Sequence, residues 1–121
     1  MLTLLMRTII FYRLESGKSP VEDFLSMLSG KQAQKVIWVL KLIEELETVP
    51  VTYFKKLKGT DGIWEVRIQS GRNIYRILGF MDGNHLVILN HAFQKKSQKT
   101  PLQAIKLSEK RKRDYLRRKR K

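Results

Sequence analysis

Cysteine is absent from the 121 residues. That removes disulfide frameworks, thiolate metal sites and cysteine nucleophiles together, so the fold must stand on its core. Histidine is nearly absent too. His85 and His91 are the only two, and no Asp/Glu cluster lies near them except Asp82, which reads as a turn residue. No metal site and no cofactor are expected from such a donor set. No Gly-rich phosphate loop and no nucleophile elbow appear, so nucleotide hydrolysis and esterase chemistry recede. Apolar runs are short: none approaches the roughly 20 residues of a membrane span. The apolar start, Met1 to Tyr12, carries Arg7 and leads to no small-residue cleavage site. A cytoplasmic protein without a membrane partner is the expectation.

Acidic side chains are few as well. Eleven Asp and Glu face 25 Lys and Arg, a formal charge of +14, which favours capture of polyanions. Nucleic acid, an acidic partner protein and anionic membrane all satisfy that charge. Ten basic residues lie between Lys106 and Lys121, against Glu109 and Asp114. The rest of the chain is still basic, so this tail is not the whole of the effect.

What is present suits one globular domain over residues 1–121. Hydrophobic residues make up 42%, enough to offset the entropy of ordering, and the length holds one core rather than two. Leu2 to Tyr12 suits a first strand, although a buried helix reads alike there. Ser19-Pro20-Val21-Glu22 reads as a helix start with Ser19 as N-cap and Glu22 completing a capping box. After a break at Ser29-Gly30, a helical stripe runs through Ala33, Val36, Ile37, Val39, Leu40, Ile43 and Leu46.

Beyond Pro50 the period shifts towards two, giving strands at Tyr53 to Leu57, Ile63 to Gln69, Asn73 to Met81 and His85 to Phe93. Short Gly-containing separators favour an antiparallel meander. Thr100-Pro101 opens a last helix with Thr100 as its cap, and its final turns, Arg117 to Lys121, are expected to fray. The fold class is α+β: an antiparallel-rich sheet packed on one face by the N-terminal helices, with a C-terminal helix. The other sheet face is then free for binding.

Alternation places Arg67 on the polar face of its strand and embeds Arg76 among apolar neighbours, where it needs a partner or an open cleft. It also sets His91 and Lys95 on one side of the last strand, with Val87, Leu89 and Phe93. Register between strands is not visible in a sequence, so whether Arg67, Arg76 and His91 converge is left open. Arg67 equally suits an ordinary salt-bridged strand arginine, and His91 a structural histidine. Lys95, Lys96 and Lys99 lie in a loop-like stretch that is ordinarily solvated. Lys55, Lys56 and Lys58 around Tyr53 and Phe54 suit phosphate neutralisation with base stacking, or the protection of an edge strand.

The blocks Phe54-Lys55-Lys56-Leu57, Ile63-Trp64-Glu65-Val66-Arg67, Tyr75-Arg76-Ile77-Leu78 and His91-Ala92-Phe93-Gln94-Lys95-Lys96-Ser97-Gln98-Lys99-Thr100-Pro101, in this order of elements, resemble the phage-derived, HigB-like branch of the RelE/ParE toxin superfamily. The resemblance covers nearly the whole chain. It implies a RelE-like fold and a toxin of a type II toxin-antitoxin pair, a metal-independent endoribonuclease that cuts mRNA on the ribosome. It implies mRNA, the ribosome and a cognate antitoxin with a helix-turn-helix domain as partners.

On this resemblance Arg67 and Arg76 hold the phosphate and stabilise its transition state. His91 acts as general acid or base, with Lys95 as the next choice. Lys56, Lys58, Lys96 and Lys99 are the expected RNA contacts. A gyrase-inhibiting toxin of the ParE kind and a non-catalytic nucleic-acid-binding module are the competing readings, since fold alone does not separate them.

Overall fold

A computed structural model describes residues 4–97 and 99–120. Leu2 and Thr3 of the expected first strand, Gln98 and Lys121 lie outside the described residues. The elements run β1 (Thr8–Phe11), α1 (Pro20–Ser26), α2 (Gly30–Glu45), β2 (Phe54–Lys56), β3 (Ile63–Ser70), β4 (Asn73–Asp82), β5 (Leu86–Gln94) and α3 (Leu102–Lys119). The strands form one five-stranded sheet in the order β1-β5-β4-β3-β2. The expected meander is there from β2 to β5, and β1 joins its far side parallel to β5, Thr8 opposite Leu86. The result is the α+β class read from the sequence, consistent with a RelE-like fold.

Local signals account for the element ends. Ser19 caps α1 by accepting from the Glu22 N–H at 3.2 Å, with Pro20 at the first helical position. The Glu22 carboxylate does not close the expected capping box; it accepts from Arg13 Nη2 at 3.1 Å. A reciprocal box forms instead at α2, between Ser29 and Gln32. Arg7 Nη1 donates to the carbonyls of Ile43 and Leu46 at the other end of α2, fixing it to the start of β1. The β3–β4 turn uses Gly71 at φ +61°, a conformation glycine adopts without strain. None of the helices among the described residues is long and apolar enough to cross a membrane.

Two apolar layers sandwich the sheet. On one side Val21, Val36, Val39 and Ile43 of α1 and α2 bury Val66, Ile68, Tyr75, Ile77, Val87 and Leu89. On the other, Ala104 packs with Ile63 and Leu78, and Tyr115 with Phe80, Ile88 and Tyr12. This corrects the expectation of an open second face: α3 covers much of it. The segment expected to fray is also helical through Lys119, because polar groups tether it. Asn90 and Ser108, both buried, exchange hydrogen bonds of 3.0 and 2.7 Å. Asp114 accepts from the Tyr12 hydroxyl at 2.5 Å and from Arg118 at 2.6 Å. Asp82 accepts from the Tyr115 hydroxyl at 2.7 Å and from Lys119 at 2.8 Å.

The β4–β5 ladder is broken by a bulge. Leu78 pairs with His91 and Gly79 with Leu89, so Asn90 is the extra residue. Strict alternation therefore fails along β5: Val87 and Leu89 join the α1/α2 core, whereas Phe93 packs on the α3 side. The bulge also explains a glycine inside a strand, since a Cβ on Gly79 would stand 2.0 Å from the Ile88 carbonyl oxygen. Backbone cannot retreat as a flexible side chain does. Gly79→Ala is expected to cost about 3 kcal/mol or more, read as a lowered midpoint in thermal or urea unfolding.

Candidate nucleic-acid interface

At the open end of the α3-side face, Arg67 and Arg76 stand directly opposite each other on β3 and β4. Like charges in such a cross-strand pair repel. Glu65, two residues before Arg67 on the same face, offsets this: its Oε1 lies 3.5 Å from the Nε of Arg67 and 3.5 Å from the Nε of Arg76. The carboxylate is buried, at 4% side-chain exposure. Its other oxygen, Oε2, accepts a short hydrogen bond from the Thr100 hydroxyl. Thr100 therefore does not cap α3; Pro101 occupies the cap position without a side-chain bond, and the threonine instead ties the end of the 95–101 loop to β3.

The two arginines line a cavity of about 440 Å³ with Ile74, Lys95, Lys96 and Ser97. Arg76 is almost wholly buried, and its Nε, although near Glu65, makes no hydrogen bond. Burial lowers its pKa, with Arg67 adding to the effect and Glu65 opposing it. The Lys95 backbone N–H donates to the Ile74 carbonyl at 2.7 Å, extending the ladder so that its side chain faces the cavity. Desolvation lowers the Lys95 pKa, and repulsion from Arg76 and Arg67 lowers it further against the attraction of Glu65. Four cationic side chains line the cavity, with one buried carboxylate beside two of them, a balance that favours an anion. Forked guanidinium groups suit phosphate in particular.

The remaining expected site residues lie elsewhere. His91 does not line the cavity. Its ring stacks on Phe93 with centroids 5.4 Å apart, and burial with the nearby Arg111 lowers its pKa to about 4. The expected grouping of His91 with Val87 and Leu89 fails because the bulge at Asn90 intervenes. Lys56 pairs with Trp64 on the α1/α2 side, where it lines a separate cavity with Arg7, Phe54 and Met81. Lys58 follows β2 in an exposed turn, and Lys99 is exposed in the 95–101 loop. Lys55 is the β2 lysine on the site's face, opposite Glu65. Alternation was the available signal for Glu65, which shares the Arg67 face of β3, whereas Lys55 reaches that face only through the β2–β3 register.

The family described as "Phage derived protein Gp49-like (DUF891)" matches residues 23–113, which include every lining residue of the cavity. A search of curated proteins gave no match.

Removing the carboxylate would leave Arg76 buried beside Arg67 without an opposing charge. Glu65→Gln is expected to destabilise the fold by about 3 kcal/mol, measured by urea unfolding. His91 gives a pH test. The unfolded imidazole titrates near its ordinary 6.5 and the folded one at about 4, so between these values the unfolded state binds the extra proton. Stability is full above pH 6.5 and falls as pH drops towards 4, by up to about 1.4 kcal/mol per pH unit. His91→Gln should remove that slope, and proton NMR of the native protein should show the imidazole titrating near 4.

The matched segment covers most of the chain and carries the whole cationic cavity, so the protein belongs to the phage-derived Gp49-like family, a family of the RelE toxin type.

Proposed function

We propose that the protein is the toxin of a type II toxin-antitoxin pair and an endoribonuclease that cuts mRNA on the ribosome, of the HigB-like kind. The observation that carries this reading is the directly opposed pair Arg67 and Arg76 at the cavity shared with Lys95 and Lys96. Two guanidinium groups held side by side are placed to donate to the non-bridging oxygens of one phosphodiester. Their charge counts most when the phosphorus becomes five-coordinate and the oxygens gain negative charge.

In this reaction the ribose 2′-oxygen attacks the adjacent phosphorus. The 2′-O–P bond forms, the P–O5′ bond breaks, and the products are a 2′,3′-cyclic phosphate and a 5′-hydroxyl. Lys95 in its neutral form, which burial and Arg76 favour by lowering its pKa, takes the proton from the 2′-hydroxyl and becomes the ammonium, and water gives one to the leaving 5′-oxygen. Lys96 neutralises a neighbouring phosphate. His91, neutral above about pH 4 and outside the lining, supports Phe93 rather than moving a proton. The cognate antitoxin, a small helix-turn-helix protein, would restrain the toxin in the cell.

The test is induced expression of the wild type beside Arg67→Ala, Lys95→Ala and His91→Ala at matched levels, with growth followed and mRNA 5′ ends mapped. Wild type should arrest growth and create new ends. Arg67→Ala should lose at least about 100-fold in cleavage while keeping its circular dichroism spectrum, and His91→Ala should retain cleavage. Arrest without new mRNA ends would sink this reading and favour the gyrase-inhibiting one. Salt-sensitive RNA binding without arrest or products would favour a non-catalytic module.

A further inference from the structure

The basic residues of α3 divide into two sets. Arg111, Lys112, Arg118 and Lys119 each have a partner in the fold: the Asn90 carbonyl, Asp61, Asp114 and Asp82 respectively. Lys106, Lys110, Arg113 and Arg120 point outward with no hydrogen bond or ion pair among the described residues, and Arg117 beside them is shared with Asp114 and Glu15. These five recur at spacings of four and three, so they form a single stripe along the helix. Every exposed α3 residue from Lys106 to Arg120 is Lys or Arg. The two acids of this stretch are turned to other work, Glu109 accepting from the Asp61 N–H and Asp114 from Tyr12.

We infer that this stripe is a docking surface for the phosphate backbone of double-helical RNA, distinct from the cavity that takes the scissile phosphate. Neighbouring like charges at such spacings destabilise a helix, and among the described residues none of these four has an ion-pair partner. A row of fixed phosphates would supply one. The stripe extends about 21 Å at 1.5 Å per residue, and the tethers to Asn90, Tyr12 and Asp82 hold it rigid. It offers no exposed aromatic side chain on which an unpaired base could stack. One exposed apolar residue, Leu102, stands a turn before it, too little area alone to anchor a protein partner. What is left is charge in a straight line, which reads the backbone of a regular helix. Choosing RNA over DNA rests on the proposed ribonuclease reading; the stripe itself does not.

The experiment measures binding of a fluorescent RNA hairpin duplex, an unstructured RNA strand and a DNA duplex by anisotropy, across salt concentrations. It compares wild type, Lys106→Gln/Lys110→Gln/Arg113→Gln and Arg67→Ala. The wild type should prefer the RNA duplex. The triple variant should weaken duplex binding at least about tenfold and reduce the slope of log affinity against log salt by about 2 to 3, with a melting temperature no lower than that of the wild type. Arg67→Ala should bind the duplex within about twofold of wild type. Unchanged affinity and slope in the triple variant would overturn the inference, as would equal or tighter binding of the single strand or of DNA. Because Arg67→Ala reads the cavity and the triple variant reads the stripe, failure of one assignment is distinguishable from failure of the other.

Discussion

The Glu65 carboxylate holds the cationic end of this molecule together. With its side chain almost wholly buried, it stands between two arginines that would otherwise repel, and it also accepts from Thr100. One anion thus sets the spacing of the guanidinium pair, fixes the loop that carries Lys95 and Lys96, and places the start of α3. The charge balance at the cavity stays positive because, among the described residues, Glu65 is the only carboxylate paired with the two arginines. Full neutralisation would give a quiet salt-bridge network; partial neutralisation leaves donor capacity for an anion from outside.

Much of the fold was legible from periodicity. The helix carrying the Ala33 to Leu46 stripe and the three long strands follow from apolar spacing and from Gly-containing turns, and the observed strand ends differ by no more than a residue. Three features were not legible. The parallel pairing of β1 with β5 joins residues nearly eighty positions apart, and nothing local records it. The bulge at Asn90 shifts the facing of β5 by one residue, which alternation cannot anticipate. The basic run after Lys106 resembles a loose arm in composition, yet Ser108, Asp114 and Tyr115 each find a partner on the sheet side and hold it as a helix.

The site was legible in part for the same reason. Parity within a strand put Arg67 on the polar face, and the strained setting of Arg76 among apolar neighbours was apparent. That the two stand opposite each other depends on the β3–β4 register, which the turn at Gly71 sets in three dimensions. Sequence proximity grouped Lys56 with the site, whereas the pleat sends it to the other face and keeps Lys55 on the near one. His91 looked chemical because imidazole is so often chemical. The fold stacks it on Phe93 beside Arg111, outside the lining of the cavity.

The parallel seating of β1 has a consequence for synthesis. Thr8 pairs with Leu86, and Tyr12, just beyond the strand, bonds Asp114. β1 therefore cannot settle until β5, nearly eighty residues later, has been made. Such long-range closure is slow and comes late in folding. The basic stripe is held in place only once α3 has docked on Tyr12 and Asn90, so it belongs to these late contacts, whereas the cavity, lined from β3, β4 and the loop after β5, does not wait for them.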